Sequence, residues 1–229
     1  VFAQLEQMHA DLAPYASGVA SQVTVFANTN AINCFLPEDL GDFLRDHPRI
    51  RVSLEEQPSP AIIQAVAAGQ VDIGVVAAES GPGSLETRPY RQDRLVLIVP
   101  AGHALAGQAA AAFADVLGEP FVCLHAGSAI HTFMMNHAAR LGGRLDVRIQ
   151  VRSFNAVCRM VAAGVGIGMV PRSSVVAVDA LKTVEISDPW APRDLQLCAR
   201  SRALLAPAAA ALFDHLAAKG RAPALTADA

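Results

Sequence analysis

One phrase in this chain is written twice. Val66-Ala67-Ala68-Gly69-Gln70-Val71-Asp72-Ile73-Gly74-Val75-Val76 returns, slightly altered, as Val161-Ala162-Ala163-Gly164-Val165-Gly166-Ile167-Gly168-Met169-Val170. Each copy reads as an apolar helix end closed by a glycine, whose freedom to turn left-handed satisfies orphan carbonyls, followed by a short β-branched run. The closing glycines are 95 positions apart, close to the size of one small domain. A helix end running into a buried strand, written twice at that spacing, predicts two similar lobes with the functional site between them.

Counting outward from each copy extends the duplication. In the first lobe Gln22 to Ala27 alternates as a strand, Asn28-Thr29-Asn30 forms a polar turn and cap, and a helix runs to about Asp46, where His47-Pro48 stops it. Ile50 to Glu56 is a second strand. Ser59 reads as a helix cap followed by Pro60 at the first helical position, and the helix ends at Gly69 before a third strand, Val71 to Ala77. The second lobe repeats the order, with a strand at Phe121 to Leu124, a turn at Gly127-Ser128 and a helix to Leu141 that Gly142-Gly143 stops. A strand from Asp146 to Arg152, a cap at Ser153 or Asn155, a helix to Ala163 and a strand from Gly166 to Val170 complete it.

Strands alternating with helices imply mostly parallel sheets with right-handed crossovers. The fold class expected is α/β, two Rossmann-like β-α-β subdomains joined by a two-strand hinge. Two apolar segments stand outside the duplication, Leu95 to Val99 and Leu195 to Ala199. The first is expected to carry the chain into lobe two and the second to bring it back, so that the helix from Pro207 to Lys219 completes lobe one. Val1, Leu5, Met8, Leu12 and Tyr15 step by four and three, a helical or coiled-coil stripe that begins without a cap and ends at Pro14 and Gly18. The expected division is therefore the end of a linker helix at 1–17, subdomain I at 18–95 and 197–222, subdomain II at 96–196, and a tail at 223–229.

Composition narrows the function. With 229 residues, 52% of them hydrophobic and 17% charged, the chain is a folded protein able to bury one or two cores. No apolar run approaches the roughly 20 residues of a membrane span, and the first residues lack the basic-then-apolar order of a secretory signal, which points to the cytoplasm. A net charge of −3 with 18 dispersed basic residues leaves no electrostatic footprint for nucleic acid on this chain alone. Cys34, Cys123, Cys158 and Cys198 form no CxxC pair and read as small buried hydrophobes. A redox sensor built on Cys34 or Cys123 is a minor alternative.

Ligands of open parallel sheets bind beyond the carboxyl ends of strands, where helix N-termini meet. Those ends carry Thr29-Asn30, Ser59-Pro60, Gly127-Ser128 and Ser153-Phe154-Asn155, four polar and uncharged turns. Free backbone N–H groups and a partial positive charge suit such turns to a carboxylate or another small anion. Ser, Asn and Thr also cap helices where no ligand exists, so it is the repetition across two lobes that points to a site. His125 and Arg152 add charge at strand ends, and Phe154 offers an apolar wall. No nucleophile elbow, HExxH, P-loop or helix-opening GxGxxG occurs, and His131 and His137, six apart, do not share a helical face. No catalytic residue, metal or cofactor is expected.

Taken in order, several segments give the chain a family likeness. Leu36-Pro37, Phe43 and His47-Pro48-Arg49-Ile50 are followed by Ala68-Gly69-Gln70-Val71-Asp72-Ile73-Gly74, then by Leu95 to Pro100 with His103-Ala104-Leu105, and finally by Val161 to Pro171. In this the chain resembles, over about residues 18–220, the effector-binding domain of LysR-type transcriptional regulators. The resemblance implies a type 2 periplasmic-binding-protein-like fold, a small-molecule effector in the cleft and self-association as a homodimer or tetramer. It also implies promoter DNA contacted only through a helix-turn-helix preceding residue 1, with no membrane partner. By position it places effector contacts at Thr29 and Asn30, at Ser59 and Pro60, at His125, Gly127 and Ser128, and at Phe154 and Asn155. The competing readings are a transporter's solute-binding protein, which uses the same architecture, and an enzyme on this fold, for which the chain shows no nucleophile.

Overall fold

The computed structural model describes residues 21–220. The stripe from Val1 to Tyr15 and the expected tail lie outside the described residues. Strand β1 (Ser21–Ala27) buries Val23, Val25 and Ala27 on one face and turns the half-buried Thr24 and Phe26 to the other, the period of two that a pleated chain imposes. Asn28 ends it and caps α1 (Thr29–Cys34), its side chain accepting the N–H of Ala31. The single helix expected through Asp46 is in fact two. It breaks at Phe35 (φ −129°, ψ −46°) before α2 (Leu36–Asp46), because Pro37 has no N–H to offer the carbonyl four residues back and its ring clashes there. Strand β2 (Ile50–Glu56), helix α3 (Ser59–Ala67), strand β3 (Ile73–Ala77), a 3-10 turn over Ala78–Ser80 and strand β4 (Glu86–Arg91) follow.

The chain then enters a second compact unit, Asp93–Arg193, and returns to the first at Asp194. The second unit holds β5 (Leu95–Pro100), β6 (Ala110–Ala111), β7 (Pro120–Leu124), α4 (Ala129–Arg140), β8 (Asp146–Val151), α5 (Phe154–Ala162), β9 (Ile167–Pro171), a 3-10 turn over Arg172–Ser174, and β10 (Leu181–Ile186). Strand β11 (Leu195–Ala199) and helix α6 (Pro207–Lys219) complete the first unit.

Each unit is built on one sheet. The first has the order β2-β1-β3-β11-β4 and the second β6-β10-β5-β9-β7-β8. In the first, β1 lies parallel to β2 and β3, with Val25 opposite Leu54 and Ile73, while β11 runs antiparallel to both β3 and β4. In the second, β7 lies parallel to β8 and β9, and β5 runs antiparallel to β9 and β10. The duplication is thus larger than the three-strand core expected. Strands β5 and β11, read as standing outside it, are equivalent to each other, and β10 occupies the bounds of β4 moved on by 95 residues. The fully apolar run of β5 is the mark of an interior strand covered on both faces. Strand β4 was not expected at all: its sequence is polar, only Tyr90 is buried, and Pro89 sits where an edge strand tolerates a missing donor.

Helices cover both faces of each sheet. In the first unit Val23, Val25, Phe43, Leu212 and Phe213 form one core, and Ile62, Val66, Val76 and Cys198 form another beneath α3. In the second, Phe113, Phe121 and Met134 lie on one side, and Val96, Ile98, Val157 and Val161 on the other. The repeated phrase sets the depth of α3 and α5. A Cβ on Gly74 would stand 2.6 Å from both Ile62 Cγ2 and Cys198 Sγ, and one on Gly168 would stand 2.9 Å from Val157 Cγ1. Gly69 and Gly164, with φ of 72° and 79°, make the left-handed exit from each helix.

Candidate functional site

In the first unit the carboxyl ends of the parallel strands are tied to one another. The N–H of Asn28 donates to Val75 O at 3.1 Å, and that of Gln57 to Ala27 O at 3.1 Å. The cap of α1 is Asn28, which leaves Asn30 as the second residue of the helix rather than its cap. Thr29 opens the helix, and its hydroxyl donates to Glu56 Oε1 at 2.6 Å. Ser59 is not a cap either. Pro58 takes that position, Ser59 is the first helical residue, and its buried Oγ accepts the N–H of Ala77 at 3.2 Å, at the end of neighbouring β3. The hydroxyl thus serves a strand end instead of its own helix. Pro60, exposed at the second helical position, has no N–H that needs a partner. Glu56 is the residue that strand-by-strand reading missed. Opposite Ala27 in the parallel register, it gives this end of the sheet a carboxylate, and the site is not uncharged there.

The second unit's turn is of another kind. Ser128, only 6% exposed, caps α4 by accepting the N–H of His131 at 3.2 Å. Its own N–H donates to His125 O at 2.9 Å, and its carbonyl accepts the hydroxyl of Thr132. The N–H of His125 in turn donates to Val151 O, which fastens the turn to the end of β8. His125 and Gly127 are exposed, and the imidazole of His125 lies over Gly127, 3.4 Å from where a Cβ would stand.

His131 lies within the first turn of α4, 8% exposed, with Nε2 3.2 Å from Nε2 of Gln150 on β8. Burial, and then the charge of nearby His125, hold its imidazole below the ordinary value of 6.5. The positive end of the helix acts in the same direction. His131 was considered above only as half of a metal pair, and Gln150 not at all. The signals that place them were available: His131 is three residues past a capping serine, and Gln150 pairs with Cys123 at the end of β7.

At the neighbouring strand end Ser153 caps α5 by accepting the N–H of Ala156 at 3.2 Å. Asn155 is exposed in the first turn, and Arg152 is exposed just before it. Phe154, expected as an apolar wall, is 6% exposed and belongs to the core with Val122, Leu124, Val157 and Val170. Here the first residue of the amphipathic helix faces the sheet, and its apolar ring is drawn into the core. Burial pushes the Cys123 thiol up to about 11, where the nucleophilic thiolate that a redox sensor requires is scarce at neutral pH. Among the described residues, no group of three His, Cys, Asp or Glu side chains could hold a metal ion, and no helix is long and apolar enough to cross a membrane.

Two α/β units of one topology, with capped turns at the ends of their parallel strands and no nucleophile constellation at those turns, define a ligand-binding module. Residues 16–221 match the LysR substrate binding domain, and the chain belongs to that family. It is 27% identical over 183 residues to the HTH-type transcriptional regulator YwbI of Bacillus subtilis, covering 79% of this chain and 61% of that protein. Solved structures share the fold. The CcmR regulatory domain of Synechocystis, in complex with 2-PG, superimposes with a TM-score of 0.75 at 23% identity, over 88% of this chain and 98% of that one. The BenM effector binding domain with its effector benzoate gives 0.68 at 23% identity, over 86% and 91%. The chain spans about three fifths or less of the first curated relatives it matches. Those relatives are regulators, which favours regulation over the transport alternative.

Proposed function

We propose that this chain senses a small anionic effector on behalf of a LysR-type transcriptional regulator. The observation that carries the reading is the turn at the end of β7, where Ser128 caps a twelve-residue helix beside two histidines in a chain of this family. A helix start of that length offers backbone N–H groups and a partial positive charge, and His125, Ser128 and the neighbouring Asn155 supply donors. Glu56 makes the other turn unsuited to a second negative charge. There Thr29, Asn30, Ser59 and Glu56 suit hydroxyl groups or other donors of the effector.

The effector acts by preferring one of two arrangements of the regulator, and it shifts that balance only by its differential affinity. DNA contact falls to a helix-turn-helix segment preceding Val1, supported by the HTH-type relatives and by the part of their length this chain leaves uncovered. The regulator works in the cytoplasm as a homodimer or tetramer and is not an enzyme.

The test is calorimetry of the chain against a panel of small carboxylic and hydroxycarboxylic acids. At least one acid should bind. Ser128→Ala and Asn30→Ala should each weaken it about tenfold, equivalent to about 1.4 kcal/mol, with the fold retained by circular dichroism. An acid that binds equally well to wild type and both variants would place the effector site elsewhere.

A further inference from the structure

We propose that His131, buried at the start of α4 against Gln150, couples effector binding to proton uptake, so that the turn holds its anion more tightly as pH falls through the histidine range. The inference rests on the proposed effector site and names its regulation. Its geometry is a cluster. His131 is buried in the first turn of α4, His125 lies on the turn just before it, and Gln150 reaches the inner imidazole from β8.

In the unliganded protein every influence on His131 opposes its charge. Burial removes water, His125 is a second base of the same sign when protonated, and the helix start presents its positive end. The charged group that acts on the ring is His125, on the turn before it. Gln150, from the strand packed against the ring, is uncharged and suits either protonation state. With its NH2 toward Nε2 it serves the neutral imidazole, and with the amide turned over its oxygen accepts from the imidazolium.

An anion seated at the helix start reverses the balance. Its charge favours the imidazolium, and a proton moves from solvent to His131 as the anion binds. The sign follows from linkage. The bound state holds its proton to higher pH than the free state, so affinity is greatest below the free midpoint and falls between the two midpoints by up to about tenfold per pH unit. Above the bound midpoint it is level again.

The experiment titrates the histidine ring resonances of the intact chain by NMR, with and without sulfate or benzoate, whose charges do not change above about pH 5.5. Calorimetry with the same anions is run at intervals from about pH 5.5 to 7.5, in buffers of different ionisation enthalpy. The expected results are a rise of the His131 midpoint with the anion, a three- to tenfold loss of affinity across the range, and an uptake of up to one proton per anion bound. His131→Gln should flatten the profile, and His125→Asn should raise the His131 midpoint in the free protein. An anion that binds in a Ser128-dependent manner with no proton uptake and a level profile overturns the coupling and leaves the effector site standing. Absence of binding by either anion, or binding indifferent to Ser128→Ala, overturns the coupling at this turn, while the effector site itself stands or falls on the panel of acids above.

Discussion

At the scale of single residues, the repeated phrase acts through its glycines, and the two copies differ in a measurable way. Gly74→Ala forces a methyl against Ile62 and Cys198 at 2.6 Å, where a β-branched side chain and a buried thiol have little room to move. Gly168→Ala meets Val157 at 2.9 Å. Overpacking of a close-packed interior costs about 1–3 kcal/mol, so Gly74→Ala should lie toward the upper end of that range and Gly168→Ala toward the lower, as read by urea unfolding. Gly164→Ala is a useful third case, since open space surrounds it and only its φ of 79° is at stake, a conformational cost of about 1–2 kcal/mol. These glycines were legible from the sequence as markers of a helix end and a strand. Their tight contacts were not, because the facing residues come from a helix a few residues earlier and from strands remote in the chain.

At the scale of elements, three that are distant in sequence are clasped by one buried carboxylate. Asp39 of α2, 2% exposed, accepts two bonds from Arg91 of β4 at 2.7 and 2.8 Å and one from the Tyr90 hydroxyl at 2.6 Å. Arg91 also donates to the carbonyl of Lys219 at the end of α6. Removing one partner from such a group leaves the others buried and uncompensated. Asp39→Ala should therefore cost about 3 kcal/mol, near the lower end of the usual range because Arg91 keeps some water. The Lys219–Asp42 ion pair beside it stays in contact with water and adds little.

Burial, and then the bond to Asp39, raise the Tyr90 phenol far above its ordinary 10.0. The unfolded chain gives up that proton near pH 10 while the folded one keeps it, so stability falls as pH rises above about 10. Absorbance titration should show Tyr90 silent at the pH where a free phenol ionises. A Tyr90 that ionised normally would mean that the clasp is open in solution. Element placement was largely readable: β2, β11 and α6 fall on the residues expected. The edge strand β4 escaped because charge and proline hide a strand whose burial is limited to one residue. The cap at Ser59 was misread because a serine before a proline fits both the cap and the first helical position, and only the partner Ala77 N–H, supplied by another strand, decides between them.

For the whole molecule, a net charge of −3 without a basic stripe predicts that the chain alone leaves promoter-length duplex DNA unshifted in a gel at ~0.15 M salt. A retarded band would mean that this domain itself holds a DNA-binding surface. The strand order has a consequence for how such a chain is made. Strand β11 lies between β3 and β4 and pairs Leu197 with Val75, so the first unit's sheet stays open, its two flanking strands apart, until the entire second unit has been synthesised. That second unit is one continuous stretch whose ends meet, with the N–H of Arg193 bonded to Asp93 O at 2.6 Å. It has the plan of a domain inserted into a surface loop of its host. A nascent chain on the ribosome can close the insert first, and the host last, by threading in its missing strand, which makes the slow, loop-closing step of folding the return at Asp194.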